Sequence, residues 1–456
     1  MNLNEAVLAH KEQMIAYLQE NLRIPSVEGP AEPGAPYGAE VRRSLDHALG
    51  AARRLGFRTY QVDGHMGWCE YGDGDEMVAV LGHLDVVPAG DGWTVDPYGA
   101  EISDGKIWGR GTTDDKGPSI ASLFALAALR DTGLPIQRRI RVLLGCNEET
   151  GSADVKYYLA HGGEVPVMGF TPDGEYPVIN GEKGIINAAF SRTYTQEGPL
   201  KLVAIKGGSA PNVVPSHAYA DFECDAGLSE RLCKLYSTAI KFSRRPGGFR
   251  VEAFGISAHG STPGLGENAI GRLVMALNNL PIGGELADAI HFLATKLGME
   301  TDGASAGIAL HDEISGGLTL NWGTIIGDAE KLSLKINYRY PVTFSYEDCG
   351  PAFNALFENA GFVKAYEGWK DKLYIPADSR LVSSLMKVYT EQTGLEGKPK
   401  SIGGGTYAKS IPNLLAFGPI FPGDEIREHK SDEYITIESL VKNAQIIAHA
   451  MYELAK

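Results

Sequence analysis

Cysteine is scarce in this sequence, and the few cysteines present form no cross-linking or metal-binding pattern. The five are Cys69, Cys146, Cys224, Cys233 and Cys349, and no two of them stand in a C-x-x-C pair. An odd and widely spaced set argues against a disulfide framework and for reduced thiols. We therefore predict a cytoplasmic protein.

The sequence also lacks an excess of positive charge and lacks long apolar runs. Its 42 Lys and Arg residues against 57 Asp and Glu residues give a formal net charge of −15. This balance disfavours nucleic acids and anionic membrane surfaces as partners. No stretch approaches about 18 uninterrupted apolar residues, and the N-terminus has no apolar core of the signal-peptide kind. We expect neither a nucleic-acid partner nor a membrane partner.

What the sequence does contain, in its first part, is an alternation of apolar runs and helical patterns. MVAVLGH (77–83) and RIRVLLGC (139–146) are typical of buried strands, and VPVMGFTPDG (165–174) is a weaker third. Between the first two, GPSIASLFALAALRDTG (117–133) has the pattern of a helix that ends at glycine. Strand, helix and strand in this order indicate a parallel α/β sheet.

The texture changes near residue 183 and changes back near residue 379. AYADFEC (218–224) and KLSLKINYRYP (331–341) alternate like half-exposed strands, and the helical pattern GENAIGRLVMALNNL (266–280) lies between them. After residue 379 the α/β pattern returns and ends in a long helix. We predict an α/β domain, residues 1–182 and 379–456, interrupted by an α+β domain, residues 183–378.

Several polar residues stand directly after the apolar strands. Asp85 and His83 follow the first strand, the adjacent Glu148 and Glu149 follow the second, and Asp173 follows the third. Sites in open parallel sheets form outside the carboxyl ends of the strands, so residues far apart in sequence can converge there.

Two more residues complete a set with the chemistry of a metal site. Asp114 precedes the predicted helix, and His429 follows the late apolar run NLLAFGPIF. Histidines and carboxylates without a thiolate are ligands suited to Zn²⁺ or Mn²⁺. A carboxylate shared by two ions, with one histidine and one carboxylate for each, makes a two-metal hydrolytic site. Two cations would also offset the repulsion between the adjacent glutamates.

Each of these residues has a simpler interpretation. A lone histidine after a strand, such as His83, is often a hydrogen-bonded core residue, and the adjacent glutamates could form a solvated turn. Asp114 could cap the helix that follows it, and PDG around Asp173 is a common turn signal. His429 lies in a charged segment that could be an exposed loop.

Five motifs carry a family resemblance: GHLDVVPAGDGW, GRGTTDDKGP, NEETGS, PDGEYP and EHKSDE, in this order. They resemble the metal-site motifs of the di-zinc metallopeptidases, a superfamily with aminoacylases, glutamate carboxypeptidases and succinyl-diaminopimelate desuccinylases. The sequence is most similar to the peptidase V-type dipeptidases, the Xaa-His or carnosinase-like group, from about Leu22 onward. The resemblance implies a dipeptidase with two divalent metal ions, zinc first and manganese or cobalt as alternatives.

The resemblance also implies a role for each residue of the metal site. Glu148 is the general base, which takes a proton from the attacking water and passes it to the leaving amine. Asp85 orients His83, and Asp115 is not a ligand because the family often has methionine there. The implied ligands are His83 and Asp173 for one ion, Glu149 and His429 for the other, and Asp114 as the bridge.

In the interrupting domain the resemblance points to residues that handle the substrate. His259, in GISAHGSTPGLGENA, matches the histidine that stabilises the oxyanion, and Asn212, in APNVVP, matches the asparagine that assists it. Arg339, in INYRYP, matches the arginine that binds the substrate carboxylate. The simpler alternatives are a surface histidine, a turn asparagine and an arginine paired on the sheet. The implied pocket lining is Gly404, Gly405 and Thr406.

The length of the interrupting domain bears on assembly. Dimeric members of the superfamily have a lid about half as long and borrow its histidine from a partner. A lid of doubled size resembles the peptidase V type, which works as a monomer, so we predict a monomer in which His259 acts within its own chain. Two other functions stay open: an N-acyl amino acid amidohydrolase or desuccinylase on the same site, and a non-catalytic binding protein of this fold.

Overall fold

The structure, a computed structural model, describes residues 1–235 and 237–456. The chain forms two compact units. The first contains Met1–Asn180, Ile375–Lys400 and Gly405–Lys456, and the second contains Gly181–Tyr374 and Ser401–Gly404. The domain boundaries derived from the sequence stay a prediction; the structure groups residues 401–404 with the middle of the chain.

Helices occur where the apolar residues recur at helical spacing. The C-terminal helix is preceded by Thr436 as its N-cap, and the side chain of Thr436 accepts a hydrogen bond from the Ser439 backbone N–H. This bond satisfies one of the amides that a helix N-terminus leaves without an intrahelical partner. Within the described residues the helices are α1 (Leu3–Ala9), α2 (Lys11–Leu22), α3 (Ala39–Arg54), α4 (Lys116–Thr132), α5 (Ala153–Ala160), α6 (Ala226–Leu232), α7 (Ala269–Leu277), α8 (Glu285–Lys296), α9 (Gly350–Asn359), α10 (Arg380–Thr393) and α11 (Ile437–Ala455).

Strands alternate with these helices in the first unit and dominate the second. Within the described residues they are β1 (Arg58–Val62), β2 (Met66–Tyr71), β3 (Met77–His83), β4 (Ile102–Ser103), β5 (Lys106–Trp108), β6 (Arg139–Gly145), β7 (Met168–Thr171), β8 (Ile179–Glu182), β9 (Gly184–Thr193), β10 (Lys201–Gly207), β11 (His217–Glu223), β12 (Ile240–Arg245), β13 (Gly248–Phe254), β14 (His311–Asp312), β15 (Gly316–Gly317), β16 (Thr319–Gly327), β17 (Lys331–Tyr340), β18 (Val363–Lys370), β19 (Leu373–Tyr374), β20 (Lys400–Ile402), β21 (Leu414–Ala416) and β22 (Tyr434–Thr436).

The first unit is built on a sheet with strand order β1-β2-β6-β3-β7-β21-β8. Strand β3 is parallel to both β6 and β7, and β21 is parallel to β7. The sequence prediction of a parallel α/β sheet is therefore confirmed at the centre of the sheet. Every residue of β3 is buried, as is expected of a parallel strand covered on both faces.

Helix α4 is the central helix of the first unit. Its apolar residues are buried all round, and it packs on α1, α2 and α11 and on strands β3 and β6. The helix ends at Gly133, whose φ of 66° is in the left-handed region that glycine adopts without strain. The predicted stop at this glycine is confirmed, and the helix starts directly after the acidic pair of the GRGTTDDKGP motif.

The second unit is built on an antiparallel sheet with strand order β12-β13-β11-β10-β16-β17-β9-β18. Helix α7 packs on β11 and β13, α8 packs on α7, and α9 packs on β18. Alternate residues of β17, from Leu332 to Tyr340, are in the core under these helices, as the alternating sequence predicts. Among the described residues, no helix is both long and apolar enough to cross a lipid bilayer.

Candidate metal centre

Three parallel strands end at one edge of the sheet in the first unit, and each is followed by residues of the candidate site. His83 is the last residue of β3 and pairs in register with Gly145, the last residue of β6. Glu148 and Glu149 follow β6, and Asp173 follows β7, the other neighbour of β3. The topology thus collects at one edge side chains that lie up to ninety positions apart in the sequence.

The donor atoms of these residues form two groups that share one carboxylate. One group is His83, Asp114 and Asp173, the other is Asp114, Glu149 and His429, and within each group the ligand atoms lie within 4.8 Å of one another. The grouping coincides with the ligand sets implied by the family resemblance. The role of each residue at the metal site stays a prediction.

Asp114 presents its two oxygens to two different histidines. Oδ1 lies 3.0 Å from Nε2 of His83, and Oδ2 lies 3.0 Å from Nε2 of His429. Farther out, Nε2 of His83 is 3.8 Å from Asp173, and Nε2 of His429 is 3.1 Å from Glu149. A carboxylate with one oxygen toward each histidine has the arrangement of a bridge between two cations.

Asp115 points away from this cluster. Its carboxylate accepts hydrogen bonds from the backbone N–H of His83, at 3.0 Å, and from the hydroxyl of Ser119, at 3.1 Å. Asp115, rather than Asp114, is also the residue at the N-cap position of α4, although its side chain makes no capping bond. The alternative in which Asp114 caps the helix is therefore wrong.

The adjacent glutamates are held by Asp85. The Asp85 carboxylate accepts the backbone N–H of Glu148 at 3.2 Å and that of Glu149 at 3.1 Å. His83 instead places Nδ1 at 2.9 Å from the Asp85 backbone carbonyl, with the carboxylate at 3.5 Å. One buried aspartate therefore fixes the turn that carries both glutamates and contacts the histidine mainly through its main chain.

The charges of the cluster are unbalanced without cations. Burial and the neighbouring Asp173 raise the pKa of Glu148 well above its ordinary value, and burial and Asp114 raise the pKa of Asp173 and of Glu149. Hydrogen bonds to Asp114 and Glu149 raise the pKa of His429 to about 11. Three of the four crowded carboxylates thus resist ionisation, whereas contacts with His429 and His83 lower the pKa of Asp114. Two divalent cations would neutralise this crowded negative charge.

The buried nitrogen of His83 is a second sign that a cation fits. His83 is fully buried, and although Nε2 lies 3.0 Å from Oδ1 of Asp114, neither this contact nor another within the described residues has good hydrogen-bond geometry. A buried polar atom without a well-formed hydrogen bond is costly, whereas a metal ion would accept its lone pair. The Nδ1 contact to the Asp85 carbonyl selects the tautomer that leaves Nε2 free to ligate.

Glu433 connects the segment of His429 to the segment of Asp114. This fully buried carboxylate accepts the backbone N–H groups of Gly111, Thr113 and Asp114, at 3.1, 2.9 and 3.3 Å. It also forms a 2.7 Å ion pair with Arg110, which in turn donates to the Ala89 carbonyl. Sequence reasoning missed Glu433, although it is the last residue of the EHKSDE motif.

A second buried carboxylate, Asp154, supports the end of β6. It accepts the backbone N–H groups of Cys146 and Asn147, at 2.6 and 3.0 Å, and the hydroxyl of the buried Tyr407. Burial, together with the nearby Asp85, raises the pKa of Asp154 to about 6, although the Tyr407 hydrogen bond opposes the shift. Neither residue was identified from the sequence, because ADVKYY and GGGTYA resemble ordinary helix and turn segments.

The residues implied by the resemblance for substrate handling lie in the second unit, apart from Gly405 and Thr406. Asn212 and His259 are both exposed in the second unit, and their segments lie side by side. Val213 forms an isolated antiparallel β-bridge with His259, and the Asn212 carbonyl accepts a hydrogen bond from the Gly260 N–H at 2.7 Å. Nδ1 of His259 lies 2.6 Å from the hydroxyl of Ser261.

Arg339 is buried in the second unit, and Thr406 lies in the first. Arg339 donates from Nη1 to the Gly403 carbonyl at 2.6 Å, and burial lowers its pKa to about 10. Gly404 is the next residue after Gly403 in the chain. Within residues 1–235 and 237–456 no acidic side chain pairs with Arg339, which instead donates to the Asn337 side chain and the Gly403 carbonyl. The alternative of an arginine paired on the sheet surface is therefore wrong.

Thr406 of the first unit accepts a hydrogen bond from the Ala408 N–H at 3.1 Å and so caps a short 3₁₀ helix.

Comparison with known proteins adds relatives of full length. A protein of Bacillus subtilis (strain 168) named "Putative dipeptidase YtjP" is 39% identical, over 100% of both chains. The Beta-Ala-Xaa dipeptidase of Lactobacillus delbrueckii subsp. lactis is 33% identical, over 100% of this chain and 99% of its own.

Solved structures share the fold at low sequence identity. Human carnosine dipeptidase 1 matches with a TM-score of 0.57 and 17% identity, covering 99% of this chain and 98% of its own. Aminoacylhistidine dipeptidase from Vibrio alginolyticus matches with a TM-score of 0.57 and 16% identity, covering 97% of each chain. The family model for peptidase family M20/M25/M40 matches residues 79–453. The chain therefore belongs to the M20/M25/M40 peptidase family.

Proposed function

We propose that this protein is a metal-dependent dipeptidase that hydrolyses dipeptides with a free C-terminal carboxylate. The observation that carries the proposal is the carboxylate of Asp114, which offers one oxygen to His83 and the other to His429. The dipeptidase names of the full-length relatives favour this substrate class over other amides. The two alternative functions, an N-acyl amino acid amidohydrolase or desuccinylase and a non-catalytic binding protein, are distinguished by the substrate panel.

Two divalent ions, with zinc as the first choice and manganese or cobalt as alternatives, would be held by the two ligand groups. When bound, they supply Lewis acidity that polarises the scissile carbonyl and lowers the pKa of the attacking water. The ligands are His83 and Asp173 for one ion, Glu149 and His429 for the other, and Asp114 for both.

Glu148 is the general base in this proposal. Its backbone N–H is fixed by Asp85, and burial beside Asp173 raises its pKa well above that of an exposed glutamate. A carboxylate with a raised pKa is a better proton acceptor at neutral pH. Glu148 would take a proton from water during attack and return it to the leaving amine, which departs as a neutral amine.

The second unit would supply substrate recognition. Arg339 is assigned to the C-terminal carboxylate, a task suited to a planar guanidinium, and His259 with Asn212 is assigned to the oxyanion. Gly404, Gly405 and Thr406 are assigned to the lining of the substrate pocket, where small residues allow close approach of a peptide backbone. We further propose that the enzyme is a cytoplasmic monomer and that His259 serves its own chain.

The test is hydrolysis of a substrate panel by metal-loaded enzyme, with chelated enzyme as the control. The panel holds α-dipeptides, β-alanyl-histidine, tripeptides, dipeptide amides, N-acetyl amino acids and succinyl-diaminopimelate. We expect metal-dependent cleavage of the dipeptides and much slower cleavage of the dipeptide amides and the acylated compounds. Cleavage of the acylated compounds alone would contradict the substrate class, and cleavage of none would point to a binding protein.

A further inference from the structure

Three asparagines stand side by side across the sheet of the second unit. Asn187 of β9 pairs in register with Asn337 of β17, and Asn337 pairs with Asn321 of β16. Residues directly opposite one another on adjacent strands present their side chains on the same face. Asn321 and Asn337 are each 1% exposed. We call these three residues the asparagine ladder.

One end of the ladder holds the segment that carries Asn212. The side-chain amide of Asn321 donates to the Pro211 carbonyl at 2.7 Å and to the Val213 carbonyl at 3.0 Å. An asparagine amide has two N–H groups, so both are used on the two carbonyls that flank Asn212. The main chain on either side of Asn212 is thereby tied to β16.

The middle residue of the ladder, Asn337, which the strand pairing of β16 and β17 places beside Asn321, holds Arg339. The side-chain oxygen of Asn337 accepts Nε of Arg339 at 3.0 Å, and its amide donates to the Asn187 side-chain oxygen at 2.9 Å. Because Nη1 of Arg339 is bound to the Gly403 carbonyl, the guanidinium plane is fixed at two of its nitrogens. A hydrogen bond to a charged group is stronger than one between neutral groups, so Asn337 is well placed to set this plane.

We propose that the asparagine ladder is a positioning element that sets the spacing between Asn212 and Arg339 and so selects dipeptides. The inference rests on the proposed function, in which Asn212 acts at the oxyanion and Arg339 binds the terminal carboxylate. The scissile carbonyl and the carboxylate of a dipeptide are separated by one residue, and a rigid spacing between their binding groups matches that length alone. Asn321 and Asn337 touch no reacting atom, and they act through Asn212 and Arg339.

The ladder predicts that Asn337 and Asn321 affect different kinetic constants. Asn337→Ala should raise KM for a dipeptide about tenfold with kcat within threefold, because it loosens a group that binds substrate and transition state alike. Asn321→Ala should lower kcat about tenfold with KM within threefold, because it loosens a group that acts on the developing oxyanion. Both variants should lower the preference for dipeptides over tripeptides by about tenfold.

A double-mutant cycle separates positioning from general destabilisation. In an Arg339→Ala background, Asn337→Ala should cause no further rise of KM, because the residue through which it acts is gone. The matched control is Asn354→Ala, which removes a buried asparagine of α9 whose amide binds Glu367 in the same unit. That variant should lower Tm and leave kcat and KM unchanged.

The possible results distinguish the ladder from the function on which it rests. If Asn337→Ala and Asn321→Ala only lower Tm, as the control does, without the separate effects on KM and kcat, the positioning role of the ladder is wrong and the proposed function is untouched. Dipeptide kinetics unaffected by Asn212→Ala and Arg339→Ala would overturn the assigned roles of those residues and the ladder with them. If Asn321→Ala does not fold, Asn321→Ser replaces the two N–H donors with a single hydroxyl donor, and it should lower kcat by a smaller factor in the same direction.

Discussion

At the scale of single residues, the two oxygens of Asp114 organise the site. Each faces Nε2 of a different histidine at 3.0 Å, and each histidine has a further carboxylate nearby. The adjacent glutamates differ in consequence. Glu149 lies 3.1 Å from His429, whereas Glu148 belongs to neither ligand group. This difference separates a ligand from a candidate base.

Glu148→Gln is the first prediction. Gln keeps the size of the side chain but cannot accept a proton from water, so kcat should fall by about 10²–10⁴-fold. Both metal ions should remain, because Glu148 is in neither ligand group. The measurements are kcat with a dipeptide and the metal content by elemental analysis.

The matched control is Glu149→Gln, at the next position. It should lower metal content toward one ion per chain, because Glu149 belongs to the group that includes His429. A Glu148→Gln enzyme that keeps more than a tenth of the wild-type turnover would show that another group serves as the base.

At the scale of structural elements, the site depends on loops that buried charges hold in place. Glu433 and Arg110 join the segments that carry His429 and Asp114, and the pair is buried on both sides, at 0% and 2% exposure. The Glu433 carboxylate also accepts three backbone N–H groups, which together with Arg110 offset part of the cost of burying its charge. Two loops that are distant in sequence thus behave as one support for the bridging carboxylate.

Glu433→Gln should weaken metal binding while the fold persists. Gln offers no charge to Arg110 and turns an N–H₂ group toward the backbone amides, so the loop of Asp114 should loosen. Residues that orient metal ligands in this way affect metal affinity by about 10–100-fold when changed. The measurement is titration of the metal-free variant with Zn²⁺ by calorimetry.

The control for this prediction is Glu70→Gln. Glu70 pairs with Arg141 at 2.6 Å in the same unit, on strand β2 rather than on a ligand loop. Its loss should lower Tm and leave zinc affinity unchanged. Equal zinc affinities of the Glu433→Gln variant and the wild type would show that the loop holds its position without this carboxylate.

The elements themselves were largely predictable from the sequence. Strand β3, helix α4 and strand β6 occur where continuous apolar runs and a helical pattern indicate them. The supporting residues were not predictable, because Asp154, Tyr407 and Glu433 resemble ordinary helix, turn and loop residues until the chain is folded. Their partners are distant in sequence or are backbone amides, and neither leaves a local signal.

At the scale of the whole molecule, the metal ions should couple to stability. Ions that bind the folded chain and not the unfolded chain stabilise it by about 3 kcal/mol per site at a hundredfold excess over Kd. Removing them by chelation should abolish activity and lower Tm by roughly 5 °C or more. Differential scanning calorimetry of the loaded and chelated protein measures the shift.

The sign of the pH dependence follows from the pKa shifts of the metal-free site. The pKa values of Glu148, Glu149 and Asp173 are raised by burial and neighbouring carboxylates, and that of His429 is raised to about 11 by its carboxylate partners. These four groups therefore bind more protons in the folded metal-free chain than in the unfolded chain, and their contribution to stability falls as pH rises from 6 to 8.

The loss of Tm on chelation should accordingly be larger at pH 8 than at pH 6. Metal binding displaces those protons, so the stability of the metal-loaded protein does not fall in the same way between pH 6 and pH 8. The comparison uses the same two samples in two buffers of equal ionic strength. A shift that is equal at both pH values, or larger at pH 6, would contradict the charge balance inferred for the site.

The order of residues alone determines the α/β class, the places where strands end and the kinds of ligand that follow them. These features are local, because hydrophobic periodicity and turn chemistry act over a few neighbouring positions. Only the tertiary structure decides that Asp85 holds the turn of the two glutamates, that Glu433 supports the Asp114 loop and that three asparagines align across β9, β17 and β16. Those contacts join segments that meet only when strand register and loop closure are set, and no local pattern encodes them.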